Sequence, residues 1–385
     1  MACDLLVLGN KLGKIDVKMS VSTLVISDVN RFVGMKDFWD RELRDHVNDP
    51  FLYSCMLIEL WKFSQRVGWH PFLMVFLSGE KIVGFAPLLM RSRFGFRYVS
   101  NFDQYTCPEL FYDNYREVCL EQMVNVLFRH LNCESADITV RDESADQRLL
   151  EKVCRKRNLR YTRFPQEGQA IIPVKSSLNF FRQSLNRKDV REFKRIGRKL
   201  DKLGSWQISC FGLDRVSLTR IWEVERHSWK AYLKCKEKAK KDLGLSAILK
   251  GVERNGEGVS YFESEVWFLE LNGVPISYVL TMKRNKTLFF AKTSFDSRYK
   301  EVSPGTFLMN SLIEQVFMNG RADKIDFISN LPVVNVWKPL VVKRITYGIL
   351  RNVFLSKARR LVFENRVCSK ALQILERFKW KRRPN

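Results

Sequence analysis

Histidine is scarce, with four residues in a chain of 385, and the nine cysteines include no Cys-x-x-Cys pair and no neighbouring histidine. That spacing argues against a zinc site and against a disulfide framework. The thiols read as buried groups of a reducing cytoplasm. No apolar run reaches the ~18 residues of a membrane span. The first twenty residues carry only a short apolar patch, Leu5 to Leu8, without the basic start and long apolar middle of a secretory signal. Strand-like "VSTLVIS" begins just after Met19, which marks Met19 as an alternative start. No G-x-G-x-x-G and no G-x-x-x-x-G-K-[ST] occurs, so Rossmann and P-loop sites have no support.

What is abundant is positive charge. Lys and Arg number 66 against 42 Asp and Glu, a net +24. Charge of that size suits nucleic acid, an anionic membrane surface or a phosphorylated ligand, and does not choose among them. It concentrates in "RQSLNRKDVREFKRIGRKLDK" (182–202) and in a tail from Lys343 to Arg383. A hydrophobic share of 45% with 28 Phe supplies real cores, and the length allows two ordinary domains.

The chain repeats itself. "PFLMVFLSGEKIVGFAPLLM" (71–90) reads as two strands about a tight turn, followed by a basic turn and a strand, "FRYVSNFD" (96–103). "SEVWFLELNGVPISYVLTMKRNKTLFFAKTSFD" (264–296) has the same order, and both copies end in Phe-Asp. A helix (114–131) and a strand (136–141) follow the first copy; "TFLMNSLIEQVFMNG" and "ADKIDFIS" (322–329) follow the second. Phe307, Leu308, Leu312, Ile313 and Val316 form one apolar stripe at helical spacing. Two copies of one α/β unit are expected. Each is preceded by helices: "VGMKDFWDRELRDHV" and "YSCMLIELWKFSQRVG" before the first, 176–203 and 213–241 before the second. A boundary is expected near 165–173 and a loop at 251–260.

The copies differ between strand and helix. The second reads "SPGTF" (303–307), the first "TCPELFY" (106–112). A helix N-terminus exposes unpaired N–H groups and about half a positive charge. Pro304 pre-sets the entry, Gly305 bares the backbone, and Arg298 and Lys300 lie just upstream, together an anion seat fit for a pyrophosphate. The plainer alternative is helix punctuation. Glu109 would repel phosphate in the first copy, so a nucleotide cofactor belongs to the second.

Taken together, "GFAPLLMRSRFGFRYVSNFDQYTCPELFY", the basic helix, "VWFLELNGVPISYVL" and "SFDSRYKEVSPGTFLMNSLIEQ" resemble GNAT acyltransferases. The likeness is to the tandem, CelD-like branch related to the FemAB peptidyltransferases, over roughly residues 25 to 345. It implies an α/β (α+β) fold of two tandem units, each a mixed, mostly antiparallel sheet flanked by helices. The expected divisions are 20–170, 171–350 with the acyl-CoA site, and a basic amphipathic tail, 351–385. It implies acetyl-CoA or another acyl-CoA as co-substrate, no metal, and a donor site of Thr293, Ser294, Phe295, Arg298, Lys300, Ser303, Pro304, Gly305, Thr306 and Phe307. Relatives often continue with a glycine and a Tyr-Lys pair where this chain has Ser329-Asn330 and Trp337-Lys338.

Acyl transfer to an amine needs a base, an oxyanion donor and a proton for the leaving thiolate. A backbone N–H at a strand bulge around Thr293 to Phe295 is the expected oxyanion donor. Asp296 is the first candidate base, with strand capping as its alternative, and Asp326 and Glu223 follow; Tyr299 is a candidate proton donor. His227, one helical turn from Glu223, with Arg191 and Lys338, are the candidate acceptor-binding residues, and a solvated pair is the alternative for Glu223 and His227. The expected function is N-acyl transfer, most simply acetyl, to an amine such as an amino sugar of cell-envelope or polysaccharide synthesis, phosphorylated or lipid-linked acceptors included. The expected place is the cytoplasm, with the tail (Val367, Ala371, Ile374, Phe378, Trp380) docking on anionic lipid or packing on the body. Two rivals remain: a FemAB-type transferase using aminoacyl-tRNA, and a non-catalytic nucleic-acid- or membrane-binding protein on a decayed GNAT fold.

Overall fold

The computed structural model describes residues 21–44, 47–93, 96–101, 113–233, 235–256 and 260–351. The first copy runs β1 (Ser22–Ile26), α1 (Val29–Gly34), α2 (Lys36–Leu43), α3 (Ser54–Arg66), β2 (His70–Ser78), β3 (Lys81–Arg93) and β4 (Phe96–Asn101). It continues through α4 (Arg116–Asn125), which ends in a π turn, to β5 (Ser135–Arg141), α5 (Ala145–Lys156) and β6 (Arg160–Pro173). The second runs α6 (Leu178–Ser184), α7 (Arg187–Leu203), β7 (Trp206–Phe211), α8 (Arg215–Arg226), α9 (Cys235–Asn255), β8 (Glu263–Leu271), β9 (Val274–Arg284) and β10 (Thr287–Phe295). It ends with α10 (Pro304–Asn319), β11 (Lys324–Asp326) and β12 (Leu340–Leu350). The fold is α/β, and the repeat is real at the level of pairing. β1 to β4 form an antiparallel meander and β4 then pairs in parallel with β5. β7 to β10 form the same meander and β10 pairs in parallel with β11.

Local chemistry accounts for most elements. Asn272-Gly273 joins β8 to β9 with φ of 52° and 78°, the positive values a two-residue hairpin turn demands. α10 buries Leu308, Leu312, Ile313 and Val316 and stops at Gly320, which is left-handed (φ 60°). α7 buries Phe193, Ile196 and Leu200 and turns Lys188, Arg191, Lys194, Arg198 and Lys202 to solvent.

Several boundaries differ from the sequence expectation. The helix expected over 176–203 breaks at Leu185-Asn186, where Leu185 is extended and ends α6. The helix expected over 213–241 breaks at Ser228, also extended, whose hydroxyl caps a short 3-10 turn. Residues 251–255, expected in a loop, complete α9. The expected boundary at 165–173 falls within β6, and the two compact units do part there, between Gln166 and Glu167; β12 runs into the basic stretch read from Lys343. Residues 352–385 and the first-copy turn with Glu109 lie outside the described residues.

Two compact units arise; they part between Gln166 and Glu167, near the division expected at 170, but they are interleaved along the chain rather than consecutive. Among the described residues, one combines 21–27 with Trp69–Gln166 and 345–351; the other combines Asp28–Gly68 with Glu167–Arg344. The first unit's core joins Phe72, Met74 and Phe76 of β2 to Leu120 and Val124 of α4, Leu150 of α5, and Tyr347 and Ile349 of β12. The second unit's core packs α7 and α10 against β9 and β10.

Helix α3 therefore belongs with α9. A Cβ on Gly251 of α9 would lie 2.5 Å from Met56 Sδ and 3.1 Å from Met56 Cα of α3. The helices meet there backbone to side chain. Gly251→Ala should accordingly destabilise by about 1–3 kcal/mol, against the roughly 1 kcal/mol gain that a helical Gly→Ala change otherwise brings. Chemical denaturation reads the sign directly.

Candidate active site

β10 holds β11 only over Thr287–Phe289, opposite Lys324–Asp326. Its pairing with β9 slips between Phe290 and Lys292, leaving Ala291 as the extra residue, and resumes to Phe295 opposite Ser277. A bulge bends its strand and sharpens its twist. Beyond Phe289, β10 therefore follows β9 with its other edge free of β11. The bulge lies at Ala291 and not at Thr293 to Phe295, which are regularly paired with Val279, Tyr278 and Ser277.

The chain then makes a 3-10 segment (Ser297–Val302) and enters α10 through Ser303, held left-handed at φ 42°. A left-handed non-glycine residue costs of order 1 kcal/mol and is seldom kept without reason. The Phe307 amide donates to the Ser303 carbonyl at 3.1 Å. Those of Gly305 and Thr306, in the first turn, have no acceptor among the described residues. Gly305 is buried. Its missing side chain faces inward, where a Cβ would meet Phe295 Cδ1 at 3.5 Å and Ser277 Oγ at 3.7 Å. Both are ordinary contact distances, so this inward face admits a methyl group but not a long side chain. Phe307 lies along α7, its ring 3.6 Å from where a Gly197 Cβ would be and edge-on to Trp206 at 5.1 Å. Lys199 of α7 donates to the Glu301 carbonyl at 3.1 Å, and Lys300 is exposed.

The carboxylates expected to act as bases are committed to the backbone. Asp296 is buried, caps the Arg298 amide at 2.9 Å, and accepts from Arg298 Nε and Nη2 at 3.0 and 2.6 Å. Arg298 pairs with Asp296 through Nε and Nη2, and its side chain is otherwise exposed. Asp326 is buried, accepting from Gln169 Nε2 at 2.6 Å and from the Ile328 amide at 2.8 Å. The latter pins Ile328 at φ 65°, a strained place for a β-branched residue. Tyr299 packs on the second core. Glu223 and His227 are both exposed, and no ion pair joins them among the described residues. Arg191 is on the solvent face of α7. Lys338 donates to the Ser184 carbonyl at 2.7 Å and so closes the end of α6. Trp337 is core, stacked between Phe193 and Phe327 and donating to Asn310 Oδ1 at 3.1 Å.

A second set of groups went unselected in the sequence. On the opposite face of β9 and β10 from α10, Glu225 of α8 is buried and accepts from Lys230 Nζ at 2.6 Å on both oxygens, from Tyr278 OH at 2.6 Å and from Ser228 Oγ at 3.2 Å. Lys230, Ser228 and Tyr278 are also buried. Burial, reinforced by the Glu225 charge, raises the Tyr278 phenol well above its ordinary value. Lys292 shares this face. Burial and the charges of Lys230 and Lys241 lower its ammonium, partly offset by Glu225. Glu225 stands in the same stretch, "IWEVERHSW", as Glu223 and His227, but two positions along the helix from either it faces another way and is buried.

Breaking a buried pair strands the remaining charge. Glu225→Gln should therefore cost roughly 3–5 kcal/mol, seen as a lower denaturant midpoint. Asp49, which caps the Phe51 amide at 2.9 Å, is pushed up to about 6, by burial first and also by the Asp326 charge. Its folded value exceeds its unfolded one, so this group favours the fold below pH ~4 and loses that contribution as pH rises through about 6. Asp49→Asn keeps a cap, and relative to wild type its stability should rise between pH 4 and 6 and stay higher at pH 7.

A meander that hands its last strand to a parallel neighbour across a helix, repeated twice, is the topology of a tandem GNAT fold. The chain carries such a domain by sequence as well: residues 187–331 match the acetyltransferase (GNAT) domain family. FemX is similar in fold, with a TM-score of 0.55 at 12% identity over 85% of this chain and 98% of that one. The C-terminal domain of a putative lysylphosphatidylglycerol synthetase from Agrobacterium fabrum scores 0.50 at 12% identity, over 87% of this chain and 97% of that one. No curated protein sequence matches the chain. Among the described residues no helix is long and apolar enough to cross a membrane, and no cluster of His, Cys, Asp and Glu is arranged to hold a metal ion.

Proposed function

We propose that the second unit transfers an acyl group, most simply acetyl, from coenzyme A to an amine of its acceptor. The observation that carries this reading is the pair of unpartnered amides, Gly305 and Thr306, at the mouth of α10 beside the freed edge of β10. A diphosphate fits that chemistry, because two unpartnered N–H donors and the helix dipole favour an anion without a dedicated side chain. Lys199 and Lys300 add positive charge nearby. The free edge of β10 offers backbone groups to an extended arm, as an added strand would use them. When bound, the carrier supplies an activated carbonyl and a thiolate leaving group. An amine acceptor such as an amino sugar, and a cytoplasmic place with the tail at an anionic membrane, remain part of the proposal.

A second reading has its own support. The exposed cations of α7 form a ladder that would suit a donor carried on RNA. Aminoacyl-tRNA binding that weakens steeply with salt, without coenzyme A binding, would favour it.

The test is Thr306→Glu. A carboxylate in the first turn of a helix is neutral to slightly stabilising, by about 0.5 kcal/mol, yet it repels phosphate from the same amides. The variant should melt no lower than wild type while its affinity for coenzyme A in calorimetry drops at least tenfold. Unchanged affinity would remove the seat. Glu at 305 is the poorer test, since it would be driven into Phe295.

A further inference from the structure

On the α8 face of β10, polar groups collect that neither the donor seat nor the core employs. Ser294 lies opposite Tyr278 and Lys292 opposite Leu280, so Ser294, Lys292 and Tyr278 rise on one face of the sheet. The Ser294 hydroxyl is buried with no hydrogen-bond partner, although the carbonyl of the same residue accepts from Ser277 Oγ at 2.9 Å. Lys292 is half-buried and forms no hydrogen bond or ion pair among the described residues. The nearby charges are those of Lys230, Lys241 and Glu225. Glu225 is already saturated by Lys230, Tyr278 and Ser228. Lys241 spans the Trp229 ring, its Nζ 4.0 Å from the centroid. Three ammonium groups thus face one carboxylate, and the carboxylate has no lone pair to spare for Lys292.

We infer that Lys292, with Ser294 Oγ beside it, is a binding site for an acidic group, carboxylate or phosphate, carried by the amine acceptor. The inference names the acceptor class for the proposed transfer and rests on that reading. An unpaired ammonium held half out of water gains more from an incoming anion than a solvated surface lysine does, because its solvation is already partly lost. Ser294 adds a neutral donor on the same face. The position suits an acceptor: the site lies just past the bulge at Ala291, where β10 leaves β11, and on the opposite side of the sheet from α10. Donor and acceptor anions would then be received on different faces, without mutual repulsion. Lys230 and Glu225 hold the floor of the site and do not themselves bind the acceptor.

The test uses the full chain, its lysines reductively methylated with carbon-13, titrated with inorganic phosphate, with acetate and, as a neutral control, with ethanolamine. The Lys292 resonance, assigned by its disappearance in Lys292→Met, should move toward a higher titration point with phosphate or acetate and stay put with ethanolamine. By calorimetry Lys292→Met should bind O-phosphoethanolamine or β-alanine at least tenfold more weakly than wild type, and Lys292→Arg should retain most of the affinity. The stronger of the two ligands tells phosphate from carboxylate. Lys292→Met should melt no lower than wild type, having no partner to lose, and should bind coenzyme A normally. Equal affinity in Lys292→Met, a Lys292 resonance blind to both anions, or a parallel loss of coenzyme A binding would overturn the inference. Loss of coenzyme A binding in Thr306→Glu alone would bear on the donor seat and leave this site standing.

Discussion

The site depends on a strand being let go. β10 is gripped by β9 along nearly its whole length but by β11 only at its start, and the single extra residue at Ala291 turns it away. Backbone polar groups that lose a neighbour must find another partner or face water. A freed strand edge in the middle of a sheet is therefore costly to keep. The fold keeps it by anchoring both ends of the break: Phe289 opposite Asp326 before it, and Asp296, whose amide donates a hydrogen bond to the Ile276 carbonyl, after it.

This division of labour gives the acidic residues Asp296 and Asp326 structural partners. Asp296 turns the chain out of β10 and holds Arg298; Asp326 fixes the strained peptide of Ile328, whose carbonyl takes a further bond from Arg344. Both sit at the ends of the parted strands, where a carboxylate can satisfy backbone amides that a missing ladder leaves over. The chemically uncommitted groups are of another kind: the amides of Gly305 and Thr306 on one face, the Lys292 ammonium and the Ser294 hydroxyl on the other. A residue that retains an unpaired polar group half out of water forgoes stability there, and such residues gather where function needs them.

The interleaving of the two units adds a constraint. α3 comes from the first copy in sequence but lies against α9 in the second unit, with Gly251 admitting Met56. Tyr53 stacks on Tyr261 and Arg284 reaches back to the Arg44 carbonyl, so the second sheet is braced by helices encoded far upstream. A segment cut at residue 170 would leave that face of the second sheet uncovered.

By itself the sequence determined the α/β class, the order of strands in both copies, the apolar stripes of α7 and α10 and the turn at Pro304-Gly305. These are local: alternation, helical spacing, Asn-Gly turns and caps act between residues close in the chain. Tertiary structure decided which helices cover which sheet, that the bulge falls at Ala291, that Gly305 faces the core, and that Asp296 and Asp326 are already bonded. It also decided that Glu225, Lys230, Tyr278, Lys292 and Ser294, spread over 70 positions of sequence, share one face. The physical reason is that a charge or a donor is free or spent only relative to partners brought from elsewhere in the chain, and no local pattern carries that information.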